Sequence, residues 1–270
     1  MEKPIRLSHI IVGIRSGGDL GSGVAWRLHR CGFRVFITET FEPLAVRRKV
    51  AFSEAVYDGS ARVEGVEAVR VEDPGAAVSI WERGAIPLFV DPEFSLGPRL
   101  APRVMVDAIL AKKNLGTTKD HAPLVIALGP GFEAGKDAHF VVETNRGHHL
   151  GRVLASGSAA TPRTVPGTPV SGSAERVIRA PATGTWRTSM EIGDGIRRRE
   201  VVGEVAGVPV PAAIDGVIRG LIRSGIQVSQ GLKIGDIDPR GIREHCFSIS
   251  EKALAVAGGV LEAILSTLSA

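Results

Sequence analysis

The stretch LVIALGPGF, residues 124–132, decides the fold class of this 270-residue chain. An apolar run of strand length ends abruptly in a Gly-Pro-Gly turn, a pattern typical of a buried strand. A second apolar run, FVV at 140–142, ends in the polar segment ETNRGHH at 143–149. Ligands bind beyond the carboxyl ends of the strands in an open α/β sheet, so the two turns predict a ligand site. The alternative is a solvated surface loop.

The first half of the chain alternates strand-like and helix-like segments. Strands are predicted at 10–14, 34–38, 86–90 and 104–106, and a helix over 24–31 is followed by Gly32 as its stop signal. This alternation predicts an α/β fold with a Rossmann-like, doubly wound parallel sheet over residues 1–155. The segment 107–114 fits a helix and a strand equally well.

An internal repeat dominates the second half. Residues 155–173 are rich in Gly, Pro, Ser and Thr and predict a linker. Beyond the linker, residues 184–205 align with 216–237 at a constant offset of 32. Two copies of a short all-β unit predict a small barrel-sandwich domain of the biotinyl/lipoyl kind over residues 174–240.

The predicted barrel-sandwich domain has no modifiable lysine. Carriers of the biotinyl/lipoyl kind hold their cofactor on a lysine, and no lysine occurs between Lys136 and Lys233. A swinging-arm function is therefore excluded. Residues 241–270 are predicted to form a C-terminal helical segment, with Ser248 and Glu251 at the spacing of a capping box.

Composition narrows the class of partner. The net charge is +4, and only 5% of residues are aromatic, which leaves few platforms for base stacking and argues against nucleic acid. A small anionic ligand fits this charge better. The two cysteines cannot form a disulfide framework, and no apolar run approaches the length of a membrane span, so we expect a cytoplasmic protein without a membrane partner.

The loop RSGGDLGSG, residues 15–23, lies between the first predicted strand and the first helix. Glycines let a backbone approach a phosphate, and the amides at a helix N-terminus favour negative charge. We therefore predict nucleotide-like binding by these residues: Gly17, Gly18, Asp19, Gly21, Ser22 and Gly23. The order G-x-x-G-x-G departs from the usual G-x-G-x-x-G, and Asp19 would repel a phosphate unless it caps the helix or binds a metal. Glu39, at the second strand end, is expected where a ribose hydroxyl would bind, with a plain surface acid as the alternative.

The later turns supply further candidates for the same ligand. Gly129, Pro130 and Gly131 would form a second phosphate cradle. Lys113 and Asn114 would add a cation and an amide, unless they only mark a helix end.

The polar segment 143–149 is assigned two tasks. Asn145 and Arg146 would clamp an anionic or amide edge, with His148 or Glu143 available for proton transfer. Adjacent His148 and His149 are expected to point opposite ways on an extended chain, and no structural-zinc spacing occurs, so no metal site is predicted.

The two cysteines receive different predictions. Cys246 follows His245 shortly before the last helix, so we expect a lowered thiol pKa and a nucleophilic role; the alternative is a small buried hydrophobic residue. Cys31, in an apolar helix, is predicted to lie in the core.

These motifs together resemble YqeB-type accessory proteins of the selenium-dependent molybdenum hydroxylase system, over nearly the full length. The resemblance is carried by GGDL at 17–20, KKNLG at 112–116, GPGF at 129–132, ETNRGH at 143–148 and KIGDIDPR at 233–240. The stretch PRTVPG at 162–167 looks shortened against the linker of that family, which puts a role for the linker in doubt.

The resemblance implies an accessory role in maturing a molybdenum hydroxylase and supplies no established reaction. Its expected ligand is a nucleotide or molybdopterin-type compound, and its expected partners are the client hydroxylase and other maturation proteins. In this role Cys246 would carry selenium or sulfur. An NAD(P)-dependent oxidoreductase and a non-catalytic scaffold for the client remain alternatives. Whether the chain is an enzyme and whether it forms a homo-oligomer stay open.

Overall fold

The computed structural model describes residues 6–161 and 175–269, and these form two compact units. The α/β unit comprises residues 6–43, 51–161 and 249–269, and the all-β unit comprises 44–50 and 175–248. This division differs from the predicted consecutive boundaries. Residues 44–50 join the all-β unit, and the last helix joins the large sheet instead of standing apart. Most of the predicted linker, 162–173, lies outside the described residues.

The α/β unit is built from five helices and eleven strands. The helices are α1 Asp19–Arg30, α2 Ala55–Asp58, α3 Ala77–Glu82, α4 Gly97–Leu100 and α5 Glu251–Leu268. The strands are β1 Ile11–Arg15, β2 Arg34–Glu39, β3 Ser60–Val63, β4 Val66–Arg70, β5 Ile86–Val90, β6 Val104–Asp107, β7 Leu124–Leu128, β8 Glu133–Ala134, β9 Phe140–Val142, β10 Val153–Leu154 and β11 Gly157–Ser158.

Nine of these strands form one sheet in the order β10-β9-β7-β6-β1-β2-β5-β4-β3. The seven inner strands are parallel, and the edge strands β10 and β3 pair antiparallel. Residue 14 of β1 pairs with residue 37 of β2 on one side and 106 of β6 on the other. Strand order runs outward in both directions from β1 and β6, so the loops after these two strands diverge and leave a crevice at the carboxyl edge.

The predicted strands match those of the sheet closely. The runs 86–90, 124–128 and 140–142 are strands with the predicted bounds. The ambiguous segment 107–114 is neither helix nor strand after Asp107. A long loop there replaces the usual crossover helix.

Helix α5 packs beside α1 because small residues allow a close approach. A Cβ added to Gly23 of α1 would lie 2.8 Å from the Cβ of Ala253 in α5. In the middle of α5, Gly259 lies against the carbonyl of Gly151, so no side chain fits there. The helix begins after Ser250, whose hydroxyl accepts the amide of Ala253 at 3.2 Å. The capping box predicted at Ser248 was therefore two residues early.

The all-β unit consists of two four-stranded antiparallel sheets. Its strands are β12 Val177–Arg179, β13 Gly184–Arg187, β14 Gly195–Ile196, β15 Val201–Val205, β16 Val208–Pro211, β17 Gly216–Leu221, β18 Gln227–Val228 and β19 Lys233–Asp238. Strands β13, β14 and β15 begin 32 residues before β17, β18 and β19, which confirms the repeat.

The two copies of the repeat exchange strands. Strand β13 pairs with β18, and β14 pairs with β17, so each copy completes the sheet of the other. The matching glycines share one backbone conformation, with φ +153° at Gly184 and +157° at Gly216. Buried aliphatic side chains and Trp186 fill the space between the sheets. The described residues thus have a mixed α/β architecture with a large, mainly parallel sheet, a two-stranded antiparallel sheet of β8 and β11, two four-stranded antiparallel sheets and a C-terminal helix.

Candidate functional site

A cavity of about 460 Å3 opens at the carboxyl edge of the large sheet. Residues at the ends of β1 and β2 and from the loops after β5 and β6 line it: Arg15, Ser16, Thr38, Glu39, Thr40, Pro92, Glu93, Ile109 and Leu115. Its size suits a small organic ligand. The cavity lies near the point where the order of strands reverses, and of the residues predicted to bind a ligand it is Glu39 that lines it.

Arg15 connects the loops that form the walls of this cavity. No sequence motif indicated this role. Its buried guanidinium donates to the carbonyl of Pro92 at 2.8 and 3.0 Å and to that of Leu115 at 2.9 Å. The same group donates to the hydroxyl of Thr117 at 3.2 Å, and Thr117 donates to Asp107 at 2.5 Å. Arg15 thereby ties the loops after β5 and β6 to the end of β1. In the sequence, the only indication of this role was a charged residue at the end of an apolar strand.

Thr38 lies in the cavity wall and carries a buried hydroxyl that is unpartnered in the described part of the protein. The residue is 1% exposed and lines the cavity. Among the described residues, no hydrogen-bond partner lies within reach of its Oγ1. A buried hydroxyl without a partner costs free energy that a bound ligand would recover. The sequence signal was one polar side chain inside the apolar run of β2.

Glu39 lies at the cavity wall, but its carboxylate is engaged within the protein. It accepts hydrogen bonds from the amide of Gly17 at 2.8 Å, the amide of Thr40 at 2.8 Å and the hydroxyl of Ser16 at 3.2 Å. Burial raises the pKa of Glu39, and these hydrogen bonds oppose the rise. Glu39 therefore fixes the first loop against β2, which the sequence analysis did not anticipate.

The glycines of the first loop mainly serve internal packing. The carbonyl of Gly17 accepts the hydroxyl of Ser22 at 2.7 Å and the amide of Ser53 at 2.9 Å. Gly21 lies against the carbonyl of Ser16, which leaves no room for a side chain. Gly18 differs, because it precedes α1 in extended conformation and its nearest neighbour is a hydroxyl 3.7 Å from a built Cβ. The helix begins at Asp19.

The turns after β6, β7 and β9 meet at the same edge of the sheet. A Cβ on Gly129 would lie 2.5 Å from the hydroxyl of Thr144, and one on Gly131 would lie 2.5 Å from the amide of Lys113. Both glycines have positive φ angles, +77° and +104°, and Pro130 between them is buried. The structure thus brings together the predicted segments 112–114, 129–131 and 143–149. Asn114 is engaged locally, because its amide group bonds both the amide and the carbonyl of Thr117.

Glu143 holds the polar segment in shape. This buried carboxylate accepts the amide of Asn145 at 2.6 Å and that of Ala160 at 2.7 Å. Both of its oxygens therefore carry a backbone hydrogen bond. Asn145 itself is exposed.

Arg146 and Lys252 form a charged cluster beside the start of α5. The exposed guanidinium of Arg146 is ion-paired with Glu251 in the first turn of that helix. Burial lowers the pKa of the neighbouring Lys252, and Arg146 lowers it further, while Asp19, Glu143 and Glu251 oppose the change. Lys252 was missed by the sequence analysis, because only folding brings the first turn of α5 to these residues.

His148 and His149 lie in a turn and not in an extended segment. Their ring centroids are 5.0 Å apart at an interplanar angle of 80°. The expectation that they point opposite ways was wrong, because the turn at Gly147, with φ +128°, bends the chain. Both side chains are exposed.

The two cysteines differ from their predictions. Cys246 is fully buried among the aliphatic side chains of the all-β unit, with its Sγ 3.7 Å from the carbonyl of Ile218. Burial raises its thiol pKa, although Arg219 and Arg47 oppose the rise, so the expected lowering was wrong. Cys31 is exposed just after the last turn of α1, and its predicted core position was also wrong.

The comparisons with known proteins support the similarity to YqeB-type proteins and say nothing of a hydroxylase system. The chain is 48% identical over 266 residues to "Uncharacterized protein YqeB" of Escherichia coli (strain K12), a match covering 98% of this chain and 49% of that protein. The chain therefore spans about half the length of this curated relative. No protein-family model matches the chain.

Similar solved structures are distant. The structure titled "TcdA (CsdL)" is 12% identical, with 98% of this chain and 90% of that chain covered and a TM-score of 0.34. An aspartoacylase family protein from Mesorhizobium loti is 8% identical, with 78% and 58% covered and a TM-score of 0.24. At these scores neither likeness bears on fold or function. None of the described helices combines the length and apolarity that crossing a bilayer requires.

Proposed function

We propose that the chain is an accessory protein in the maturation of a selenium-dependent molybdenum hydroxylase. It binds a nucleotide or molybdopterin-type ligand at the carboxyl edge of the large sheet. The observation that carries the binding site is the cavity in which Thr38 presents a buried hydroxyl without a protein partner. The client system itself rests on the similarity to YqeB-type proteins.

The strand arrangement supports a Rossmann-like assignment for the α/β unit. Setting aside the β3–β4 hairpin, the parallel strands follow the order 3-2-1-4-5-6 of dinucleotide-binding sheets. The strand exchange between the two 32-residue copies supports a barrel-sandwich assignment for the all-β unit. In such a domain without a lysine on its hairpin, docking of the client is the proposed role.

The charge distribution supports holding a ligand over reacting with it. Thr38 would bind a hydroxyl group in the cavity, and Glu39 would hold the first loop in place beside it, while the open backbone at Gly18 and the cation of Lys252 would face a phosphate. Arg146 would exchange Glu251 for the ligand. Glu143 is occupied by two backbone amides, so we propose a positioning role for it, with His148 left for any proton transfer.

The site is tested by Thr38→Val, which keeps the side-chain shape and removes the hydroxyl. Small molecules released from natively purified protein are quantified by mass spectrometry, and binding of ADP and NAD+ is measured by calorimetry. We expect a phosphorus-containing compound from the wild type and about tenfold less from the variant, whose ligand-free form should be at least as stable as the wild type because the unpartnered hydroxyl is gone. No released compound and no affinity for either nucleotide would reject the site. Preferential binding of NAD+ with hydride transfer would favour the oxidoreductase alternative.

The accessory role is tested in cells by the selenium-dependent activity of the client hydroxylase. Arg146→Ala should reduce this activity strongly, because the cluster at α5 loses its exposed cation. Arg62→Ala removes a comparable exposed arginine on β3, paired with Glu67 at 3.4 Å, and serves as the matched control. Full client activity in the Arg146 variant would remove this residue from the proposal.

A further inference from the structure

A second cavity of the α/β unit opens at the opposite edge of the sheet, where the parallel strands begin. Its volume is about 900 Å3, within the range of sites for small molecules. Residues before β6, β7 and β9 form its walls together with α4 and the turn before that helix. Nothing in the proposed function uses this cavity.

One residue before α4 and one directly after it have a left-handed backbone conformation in this wall. Phe94 and Ala101 both line the cavity, and they have φ angles of +57° and +45°. Side chains with a Cβ rarely adopt this left-handed region, and such strain concentrates at ligand sites. Phe94 is 2% exposed, with its ring stacked on Phe36 at a centroid distance of 5.8 Å and edge-on to His121 at 6.1 Å.

The charged groups around the cavity are mainly cationic. Arg103 and Lys119 carry positive charge there, against the single acid Asp120. Within the part of the chain that the structure describes, no carboxylate pairs with the exposed guanidinium of Arg103. The ammonium group of Lys119 donates a hydrogen bond to the carbonyl of Gly135 at 2.7 Å. Two of its three protons remain for a ligand.

His139 adds a neutral donor to this cavity. Its Nδ1 accepts the amide of Val125 at 3.0 Å, so the ring proton lies on Nε2. Burial and the nearby Lys119 lower the pKa of His139, which keeps the imidazole neutral near pH 7. The Nε2 proton then remains available for an acceptor.

The remaining wall is apolar and built from rings. Pro98, Pro102 and Pro123 contribute pyrrolidine rings, in front of the buried Phe94. Such rings favour a flat, apolar partner, whereas the cations favour an anionic group. We propose that this cavity binds an organic anion with a flat, apolar body, whose carboxylate-like group pairs with Arg103, Lys119 and His139.

The proposal is tested with naphthalene-2-carboxylate as the probe and the uncharged 2-naphthamide as its matched control. Binding is measured by calorimetry and mapped by amide shifts in nuclear magnetic resonance spectra of the full chain. We expect the acid to bind about tenfold more tightly than the amide and to shift the amides of residues 119–125. Arg103→Glu should weaken the acid about tenfold, and Arg62→Glu should leave it unchanged.

Three results would overturn this site. The first is equal affinity of the protein for the acid and the amide. The second is an Arg103→Glu variant that binds the acid as tightly as the wild type does. The third is a set of amide shifts confined to the carboxyl edge around Thr38. Failure of the acid to bind at concentrations up to about 5 mM would also reject it. Because the two cavities lie at opposite edges, these outcomes are independent of the ligand tests at the carboxyl edge.

Discussion

Two buried carboxylates, Glu39 and Asp238, each end a strand, yet their surroundings affect them in opposite ways. Glu39 ends β2 and is 7% exposed, and Asp238 ends β19 and is fully buried. Glu39 accepts hydrogen bonds from two amides and a hydroxyl, and burial raises its pKa. Asp238 accepts two hydrogen bonds from the guanidinium of Arg240, at 2.6 and 2.9 Å, and its pKa is held far below the ordinary range.

The difference indicates that guanidinium hydrogen bonds, together with burial, decide the direction in which the pKa of each carboxylate moves. Neutral donors stabilise the anion less than a cation that donates directly. Cys246 makes the same point, because Arg219 lies near its thiol without lowering its pKa below the ordinary value. The following predictions test this comparison, from the largest effect to the smallest.

Asp238→Asn should produce the largest loss of stability. Arg219, whose side chain is 7% exposed, lies 3.6 Å from Asp238 and would lose this counter-charge, with the carboxylate of Asp236 as the remaining one. An uncompensated buried charge of this kind costs about 3 kcal/mol or more. Calorimetric unfolding of the all-β unit should reveal this loss, whereas the exposed Glu191→Gln should change little. A loss within about 0.5 kcal/mol would mean that Asp238 is not the counter-charge of Arg219.

Arg240→Ala should cost less, about 1 kcal/mol, because this arginine is 51% exposed and Asp238 keeps Arg219. Its acid sensitivity should nevertheless change. Without the two hydrogen bonds, Asp238 should protonate at a higher pH, so acid unfolding should begin earlier than in the wild type. Denaturation between pH 2 and pH 5 measures this, and an unchanged acid midpoint would contradict the role given to Arg240.

Glu39→Gln should change the free energy of unfolding less than Arg240→Ala does. The dependence of this change on pH should have the opposite sign. A raised folded pKa stabilises the wild type fully below the ordinary value of 4.5, and this contribution is lost as pH rises through the folded pKa. The wild type should therefore lose stability relative to Glu39→Gln as pH rises. For Asp238, the contribution is present above its ordinary value of 3.8 and is lost as pH falls. Chemical denaturation across pH 3 to 8 compares the two, and parallel profiles would break the comparison.

The smallest test leaves stability unchanged and concerns thiol reactivity. Iodoacetamide should modify the exposed Cys31 and spare the buried Cys246, whose pKa is raised. We expect rates that differ by at least about 100-fold in the native protein and converge in denaturant. Rapid native modification of Cys246, read by peptide mass spectrometry, would restore the nucleophilic role predicted from its neighbour His245.

The strands could be predicted because their signal is local. Apolar runs such as 124–128, bounded by glycine and proline, are strands whatever surrounds them. The long loop after Asp107 could not be predicted, because its shape depends on Arg15 bonding Leu115 from 100 residues away. The same holds for α5, whose place beside α1 depends on Gly23 and Gly259 meeting partners that are distant in sequence.

The sequence indicated which segments would share one edge of the sheet, and their role in ligand binding stays a prediction. The segments 15–23, 112–114, 129–131 and 143–149 do lie at the carboxyl edge of one sheet. The sequence could not tell that Glu39 and Glu143 are used by backbone amides, since those amides are chosen by folding. For the same reason the sequence did not indicate Thr38 and Lys252, whose polar groups are proposed to bind the ligand.

The sequence by itself determined the alternation of strands and helices, the 32-residue repeat and the absence of a carrier lysine between its copies. These features depend on side-chain periodicity, glycine conformation and residue type, which are properties of short stretches of sequence. Only the tertiary structure decided which polar groups remain open to a ligand. Each carboxylate, hydroxyl and guanidinium becomes engaged or available according to partners that the fold brings from distant parts of the chain.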